Sequence, residues 1–272
     1  MTIELDFAGK TVVVVGGTSG INRGIAERFA GQGAKVAVAS RSQEKVDDTV
    51  TALKAAGAET AMGRAFDVRD PEAVNDGLTA FHEAFGDFDV LISGAAGNFP
   101  ALISEMSVNA FRSVVEIDLM GTVHVMKAAY PMLRRPGASI VSISAPQAYL
   151  AYDGQGHVSA AKAGVDMITR TLALEWAPEG IRINSVVPGY IEGTEGVKRL
   201  TPDPKAMDHI LKNIPQGRLG QTEDVANMCL FLSSDLASYV CGQIINVDGA
   251  LYQRGSGNLG MQLGAMLRAA KG

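Results

Sequence analysis

Cysteine is nearly missing from this chain of 272 residues: Cys229 and Cys241 are the only two, and they have no CxxC spacing. That excludes a disulfide framework and a zinc knuckle, and it reads as two reduced thiols in a cytoplasmic protein. Histidine is equally sparse. His82, His124, His157 and His209 lack metal-ligand spacing, so no metal site is expected. No apolar run approaches the length of a bilayer span, and the opening Met1-Thr2-Ile3-Glu4-Leu5-Asp6 lacks the pattern of a secretory signal, so no membrane partner is expected. A basic excess is absent as well. The formal net charge of −5 argues against a nucleic-acid partner. No linker, repeat or low-complexity segment interrupts the chain.

What is present is a well-stocked core. Hydrophobic residues make up 47% of the chain against 19% charged, the balance of a folded globular protein. Strand-like apolar runs at 11–15, 35–39, 60–66, 89–92, 139–143, 182–187 and 243–247 alternate with stretches of helical spacing at 23–32, 43–56, 71–85, 109–133, 157–177 and 222–233. Strand–helix alternation over the whole length predicts an α/β fold. It is a doubly wound parallel sheet of about seven strands, Rossmann-type, with right-handed crossovers and helices on both faces. Residues 1–272 are read as one domain of this type. The Gly-rich tail 253–272 is set apart, either docked on a neighbouring subunit or mobile.

The strongest local signal follows the first strand. Val15-Gly16-Gly17-Thr18-Ser19-Gly20-Ile21-Asn22 joins a strand to a helix, the context that gives a Gly-rich turn its meaning. Gly16 permits the tight turn, Gly20 permits close approach of a pyrophosphate, and the free N–H groups near Thr18, Ser19 and Ile21 offer an anion site. Asn22 takes the place of a third Gly, and because Asn tolerates left-handed backbone angles better than most residues, the turn can survive the change. The second strand runs into Ser40 and Arg41 where a carboxylate would bind an unmodified ribose. A guanidinium there suits a 2′-phosphate, so NADP(H) is expected over NAD(H). Asp67 and Val68, after the third strand, are placed to meet the adenine amine.

These motifs resemble the short-chain dehydrogenase/reductase family over nearly the whole chain. The family's TGxxxGxG corresponds to the turn just described, and its NNAG to Ser93-Gly94-Ala95-Ala96-Gly97. Its Pro-Gly loop over the nicotinamide corresponds to Pro188-Gly189-Tyr190-Ile191, and Val247-Asp248-Gly249-Ala250 also matches. The resemblance implies that Gly94, Ala95, Pro188, Gly189 and Ile191 border the cofactor and that Lys162 binds the nicotinamide ribose. The catalytic pattern departs from the family. YxxxK reads Val158-Ser159-Ala160-Ala161-Lys162, the usual Ser falls at Ala145 next to Ser144, and the Asn of the middle helix is Asp118.

Within the family the chain is similar to 2,4-dienoyl-CoA reductases, the peroxisomal type above all. The likeness rests on Ala96-Gly97-Asn98-Phe99, Asn109-Ala110-Phe111, Ile117-Asp118, His157 and the run from Gly193 to Leu200. It implies NADPH-linked reduction of a conjugated carbon–carbon double bond in an acyl-CoA. Hydride is added at the far end of the diene, charge develops on the thioester oxygen, and carbon is protonated afterwards. Such a site needs an oxygen-stabilising donor and a placed water rather than a phenol. Asp118 and Lys162 are then the catalytic pair. Asn98, Phe99, Tyr149 and His157 are candidate substrate contacts, and Lys198 and Arg199 candidate partners of CoA phosphates. Two rivals stay open: a carbonyl reductase using Tyr149 or Tyr152 with Lys162, and a cofactor-binding protein without turnover. The resemblance also implies a homotetramer, with 109–133 and 157–177 packing across one two-fold axis and 222–233 with 243–247 across another. Both long helices carry more apolar residues than one sheet face can cover.

Overall fold

The computed structural model describes residues 5–200, 204–254, 263 and 266–269, with the backbone alone at Arg199, Leu200 and Arg254. Its centre is one sheet of seven parallel strands: β1 (Thr11–Val15), β2 (Lys35–Ser40), β3 (Thr60–Ala65), β4 (Val90–Ser93), β5 (Ser139–Ile143), β6 (Arg182–Pro188) and β7 (Ile244–Val247). They lie in the order β3-β2-β1-β4-β5-β6-β7. The chain winds outward from β1 to β3, returns, and winds the other way from β4 to β7. The crevice where direction reverses, between β1 and β4, is where ligands bind in such sheets.

Strand side chains alternate between two cores. Val12 and Val14 of β1 enter one core with Ile25, Phe29 and Cys229, while Val13 and Val15 enter the other with Leu78, Phe81 and Phe88. The first core is roofed by α1 (Gly20–Ala30), α2 (Gln43–Ala56) and α9 (Thr222–Ser233), with α1 packed on α9. The second is roofed by α3 (Pro71–Phe85), α5 (Gly121–Ala129) and α6 (Gly156–Trp176), with α3 packed on α5. Two short helices, α7 (Glu195–Leu200) and α8 (Pro204–Asn213), follow β6. Burial on both faces explains why β1, β2 and β4 read as unbroken Val/Ile/Ala runs rather than alternating ones.

Caps fix several helix starts. Asp70 accepts from Glu72 N and Ala73 N ahead of Pro71, and Gln221 with Asp224 closes a capping box on α9. Ser19, the cap of α1, makes no such side-chain bond. The first N–H groups of α1 therefore stay available at the crevice.

Two expectations are corrected here. The single helix over 109–133 is α4 (Val108–Val115), a π-helical turn Glu116–Met120, then α5, closed by a 3-10 turn at Tyr130–Met132 around Pro131. A period count cannot register one extra residue per turn, and Pro131 lacks the N–H that would carry the helix on. The positive backbone angles of this turn fall on Gly16 and Gly20, at φ 80° and 51°, and Asn22 lies inside α1. The described part of the tail, Leu263 and Met266–Ala269, returns to its own chain: Leu267 packs over Gly154, and Arg268 pairs with Asp153 at 3.6 Å. The rest of 255–272 lies outside the described residues.

Candidate active site

A cavity of about 1150 Å³ opens along the crevice. Every residue expected to bind the cofactor borders it: Gly16, Thr18, Ser19, Ile21, Ser40, Arg41, Asp67, Val68, Gly94, Ala95, Lys162, Pro188, Gly189 and Ile191. The walls at this end are largely backbone. Gly16 has φ 80°, and a Cβ there would stand 2.7 Å from Ala95 N, so the β1 and β4 loops touch only because Gly16 has no side chain. Above Gly20 the space is open, with only Thr194 Cγ2 within 3.8 Å of where a Cβ would be. Asn22 Nδ2 donates to Gly94 O at 2.7 Å and ties α1 to the β4 loop.

These observations fit a dinucleotide. The uncapped start of α1 offers N–H donors for a pyrophosphate, and the glycine shelf leaves room for it. Arg41 borders the end of β2 together with Ser42 and Lys45, two positions that sequence reasoning passed over. Lys45 was hidden because it looks like any exposed lysine of a helical first turn. Asp67 is gripped by Arg69, whose Nη2 lies 2.6 Å from Oδ2. The Arg69 guanidinium holds its carboxyl below the usual range.

The reacting end is built from buried side chains. The π-helical turn swings Asp118 inward, 1% exposed, and Oδ1 accepts from Gly97 N at 2.7 Å. Oδ2 faces Lys162 Nζ across 3.5 Å with no other hydrogen-bond partner. Lys162 rises from the first turns of α6 and donates to Ile143 O at 2.9 Å. Burial pushes the Asp118 carboxyl above the usual carboxylate range, and the opposing Lys162 ammonium and Gly97 N–H offset part of that rise. Val158 borders the cavity where a phenol would stand, and Ala145 where a hydroxyl would stand.

The substrate contacts expected from sequence divide. Asn98 borders the cavity and donates through Nδ2 to Gln155 Oε1 at 2.8 Å, a buried partner the sequence did not flag. Lys198 borders it too, exposed and paired with Glu195 at 3.0 Å. Phe99 does not border the cavity: its ring packs edge-on to His157, 4.6 Å between centroids. His157 is fully buried behind it, and burial lowers its imidazole below the ordinary value. Tyr149 turns away as well; its hydroxyl donates to Asn246 Oδ1, and its ring meets Tyr252 edge-on. In all three, packing against a neighbouring ring wins over the cavity. The side chain of Arg199 lies outside the described residues. Tyr152, the donor of the rival reading, and Tyr190 of the Pro-Gly loop border the cavity, as do Gln147, Leu251, Leu263, Met266 and Leu267, which had no sequence signal because long-range folding brings them there. No group of three His, Cys, Asp or Glu among the described residues is placed to hold a metal ion, and no helix among them is long and apolar enough to cross a membrane.

A family model described as enoyl-(acyl carrier protein) reductase matches residues 15–251. The chain belongs to the short-chain dehydrogenase/reductase family. It is an oxidoreductase of that family by sequence and by fold. It is 39% identical over 254 residues to the peroxisomal 2,4-dienoyl-CoA reductase of Saccharomyces cerevisiae, (3E)-enoyl-CoA-producing, covering 92% of this chain and 86% of that one. It is 39% identical over 255 residues to the protein of the same description from Rattus norvegicus, covering 93% and 87%. Among solved structures it resembles a short-chain type dehydrogenase/reductase from Mycobacterium ulcerans, with TM-score 0.89, 32% identity and coverage of 97% and 99%.

Proposed function

We propose that this enzyme reduces a conjugated carbon–carbon double bond in an acyl thioester of the 2,4-dienoyl-CoA kind, with NADPH as the reductant. One observation carries the reading: the cavity holds a buried Asp118–Lys162 pair, with Val158 at the place where carbonyl reductases of this family hold a phenol. The relatives named 2,4-dienoyl-CoA reductases support it.

A reduced nicotinamide supplies a hydride when bound. In a dienoyl thioester that has gained hydride at the δ-carbon, the electron pair moves through the diene and settles on the thioester oxygen. The protein must then stabilise that oxygen and place a proton on the α-carbon, which leaves the double bond between the β- and γ-carbons. This outcome agrees with relatives described as (3E)-enoyl-CoA-producing. Lys162 contributes fixed positive charge beside the reacting atoms, held by Ile143 O and Asp118. Asp118, paired with Lys162, holds the water that delivers the proton. Arg41, with Lys45, favours the 2′-phosphate of NADPH.

NADPH oxidation against dienoyl-CoA, enoyl-CoA and ketone substrates tests the reading. Turnover is expected on the dienoyl thioester. A ketone reduced well by the parent enzyme, with activity lost in Tyr152→Phe, would overturn it. We further propose a homotetramer. Met167 at 57% and Leu174 at 82% exposure give α6 an outward apolar stripe, and Tyr239 lies fully exposed near β7. Light scattering at micromolar concentration should return four times the chain mass; a monomer mass would contradict it.

A further inference from the structure

With Val158 and Ala145 in place of the usual donors, nothing described so far hydrogen-bonds the thioester oxygen. Ser144 borders the cavity beside Ala145. Its Oγ is buried and has no hydrogen bond of full geometry. Its polar neighbour in the protein is Asp166, and a buried hydroxyl so weakly satisfied at a ligand cavity has hydrogen-bonding capacity left for a ligand.

Strand alternation shows what lies behind it. Ser142 and Ser144 point to the same face of β5, toward α6. Ser142 Oγ accepts from Thr169 Oγ1 at 3.1 Å. One helical turn earlier, Asp166 lies against Ser144. Asp166 is 4% exposed, and its Oδ1 accepts from Ser185 Oγ of β6 at 3.0 Å. The mechanism above makes no use of this carboxyl.

A charge count decides its state. The groups facing Asp166 are Lys162 and Arg170 on its own helix and Tyr149 from the preceding loop, with the Ser144 and Ser185 hydroxyls from β5 and β6. Arg170 is exposed to solvent, and the Lys162 ammonium is already matched by Asp118 at 3.5 Å. A second ionised carboxylate would leave a buried net negative charge at the very place where a substrate oxygen must turn negative. Burial favours the neutral acid. A neutral acid can donate to Ser144 Oγ, which leaves the serine proton free to point into the cavity.

Building on the thioester reading, we propose that Ser144 donates a hydrogen bond to the thioester oxygen, and that Asp166, as a neutral acid, is the positioning residue that turns Ser144 toward it. No covalent step is involved. The oxygen is stabilised while the α-carbon receives its proton from the Asp118 side.

The test is equilibrium binding in the presence of NADP⁺, comparing a saturated acyl-CoA with its thioether analogue, which lacks the carbonyl oxygen. The parent enzyme is expected to favour the thioester by about five- to tenfold, the worth of one hydrogen bond. Ser144→Ala should erase that preference while leaving thioether binding unchanged, and Ser144→Thr should keep it. Asp166→Asn, which still donates to Ser144, should keep it; Asp166→Leu should lose it, with no further loss when combined with Ser144→Ala. A preference that survives Ser144→Ala overturns the donor. Asp166→Asn behaving like Asp166→Leu overturns the neutral acid. A parent enzyme that binds both ligands equally breaks this proposal alone, whereas one that binds neither breaks the thioester reading and this proposal with it.

Discussion

The two ends of the cavity are made of different material. The nucleotide end is backbone and exposed charge: a glycine shelf, the uncapped start of α1, and Arg41 and Lys45 at the rim. The reacting end is buried side-chain charge: Asp118 and Lys162, 1% and 6% exposed, with Asp166 behind them. The comparison teaches where each function is vulnerable. Rim charges sit in water, where screening keeps each contact modest. Buried charges depend on one another, and removing one leaves the other without its partner.

The largest effect is expected where that dependence is strongest. Asp118→Ala should cut turnover on a dienoyl thioester by a factor of about 10² to 10⁴, the usual worth of a general acid or base. NADPH affinity should stay within about threefold, a change under ~1 kcal/mol. Lys162→Ala should damage both. Single-turnover rates and a fluorescence titration of NADPH measure the two quantities, and an Asp118→Ala enzyme of unimpaired turnover would erase the contrast between the two ends.

At the rim, Arg41→Ala should weaken NADPH by about 1.5–3 kcal/mol, the range of a charge-assisted contact, and leave NADH nearly unchanged. Added salt should shrink the difference between parent and variant. Calorimetry that finds tighter NADH than NADPH binding in the parent protein would remove the role given to Arg41.

A smaller effect tests the buried side through pH. Burial holds the Asp166 carboxyl above the usual carboxylate range, against the Ser144 and Ser185 hydroxyls. The folded state therefore keeps a proton that the unfolded chain releases, so stability falls as pH rises from the ordinary carboxylate value through the raised one. Asp166→Asn should flatten that slope in urea unfolding across the same window. An unchanged slope would mean that Asp166 is ionised in the fold.

The smallest effect belongs to Tyr149, which faces neither end. Tyr149→Phe loses a half-exposed hydrogen bond to Asn246 and should leave turnover unchanged and stability within about 1 kcal/mol. A steady-state assay that shows activity lost in this variant would put a phenol back into the chemistry.

The nucleotide end was legible in the sequence because its signals are local. A strand, a Gly-rich turn and a helix start occupy one short run, so adjacency in sequence is adjacency in space. Ser40 and Arg41 were readable for the same reason, at the end of the next strand. The reacting end was legible only through resemblance. Nothing in Ile117-Asp118-Leu119 says that the carboxyl turns inward; a π-helical turn does that, and one extra residue per turn leaves no mark on a hydrophobic period. His157, Phe99 and Tyr149 pack on other rings instead of lining the cavity; a ring can satisfy either, and the chain alone does not choose between them.

By itself, the sequence determined the alternation of strands and helices, the doubly wound parallel sheet, the nucleotide turn, and the loss of the phenol at Val158. Each follows from patterns within a few residues. Only the tertiary structure decided that Asp118 and Lys162 face each other, that Ser144 and Asp166 stand behind them, and that Leu267 comes back over Gly154. The physical reason is the same throughout. Periodicity and turn chemistry are short-ranged, whereas a buried charge takes its meaning from partners that lie far off in the chain and come within a few ångströms only when the sheet has assembled.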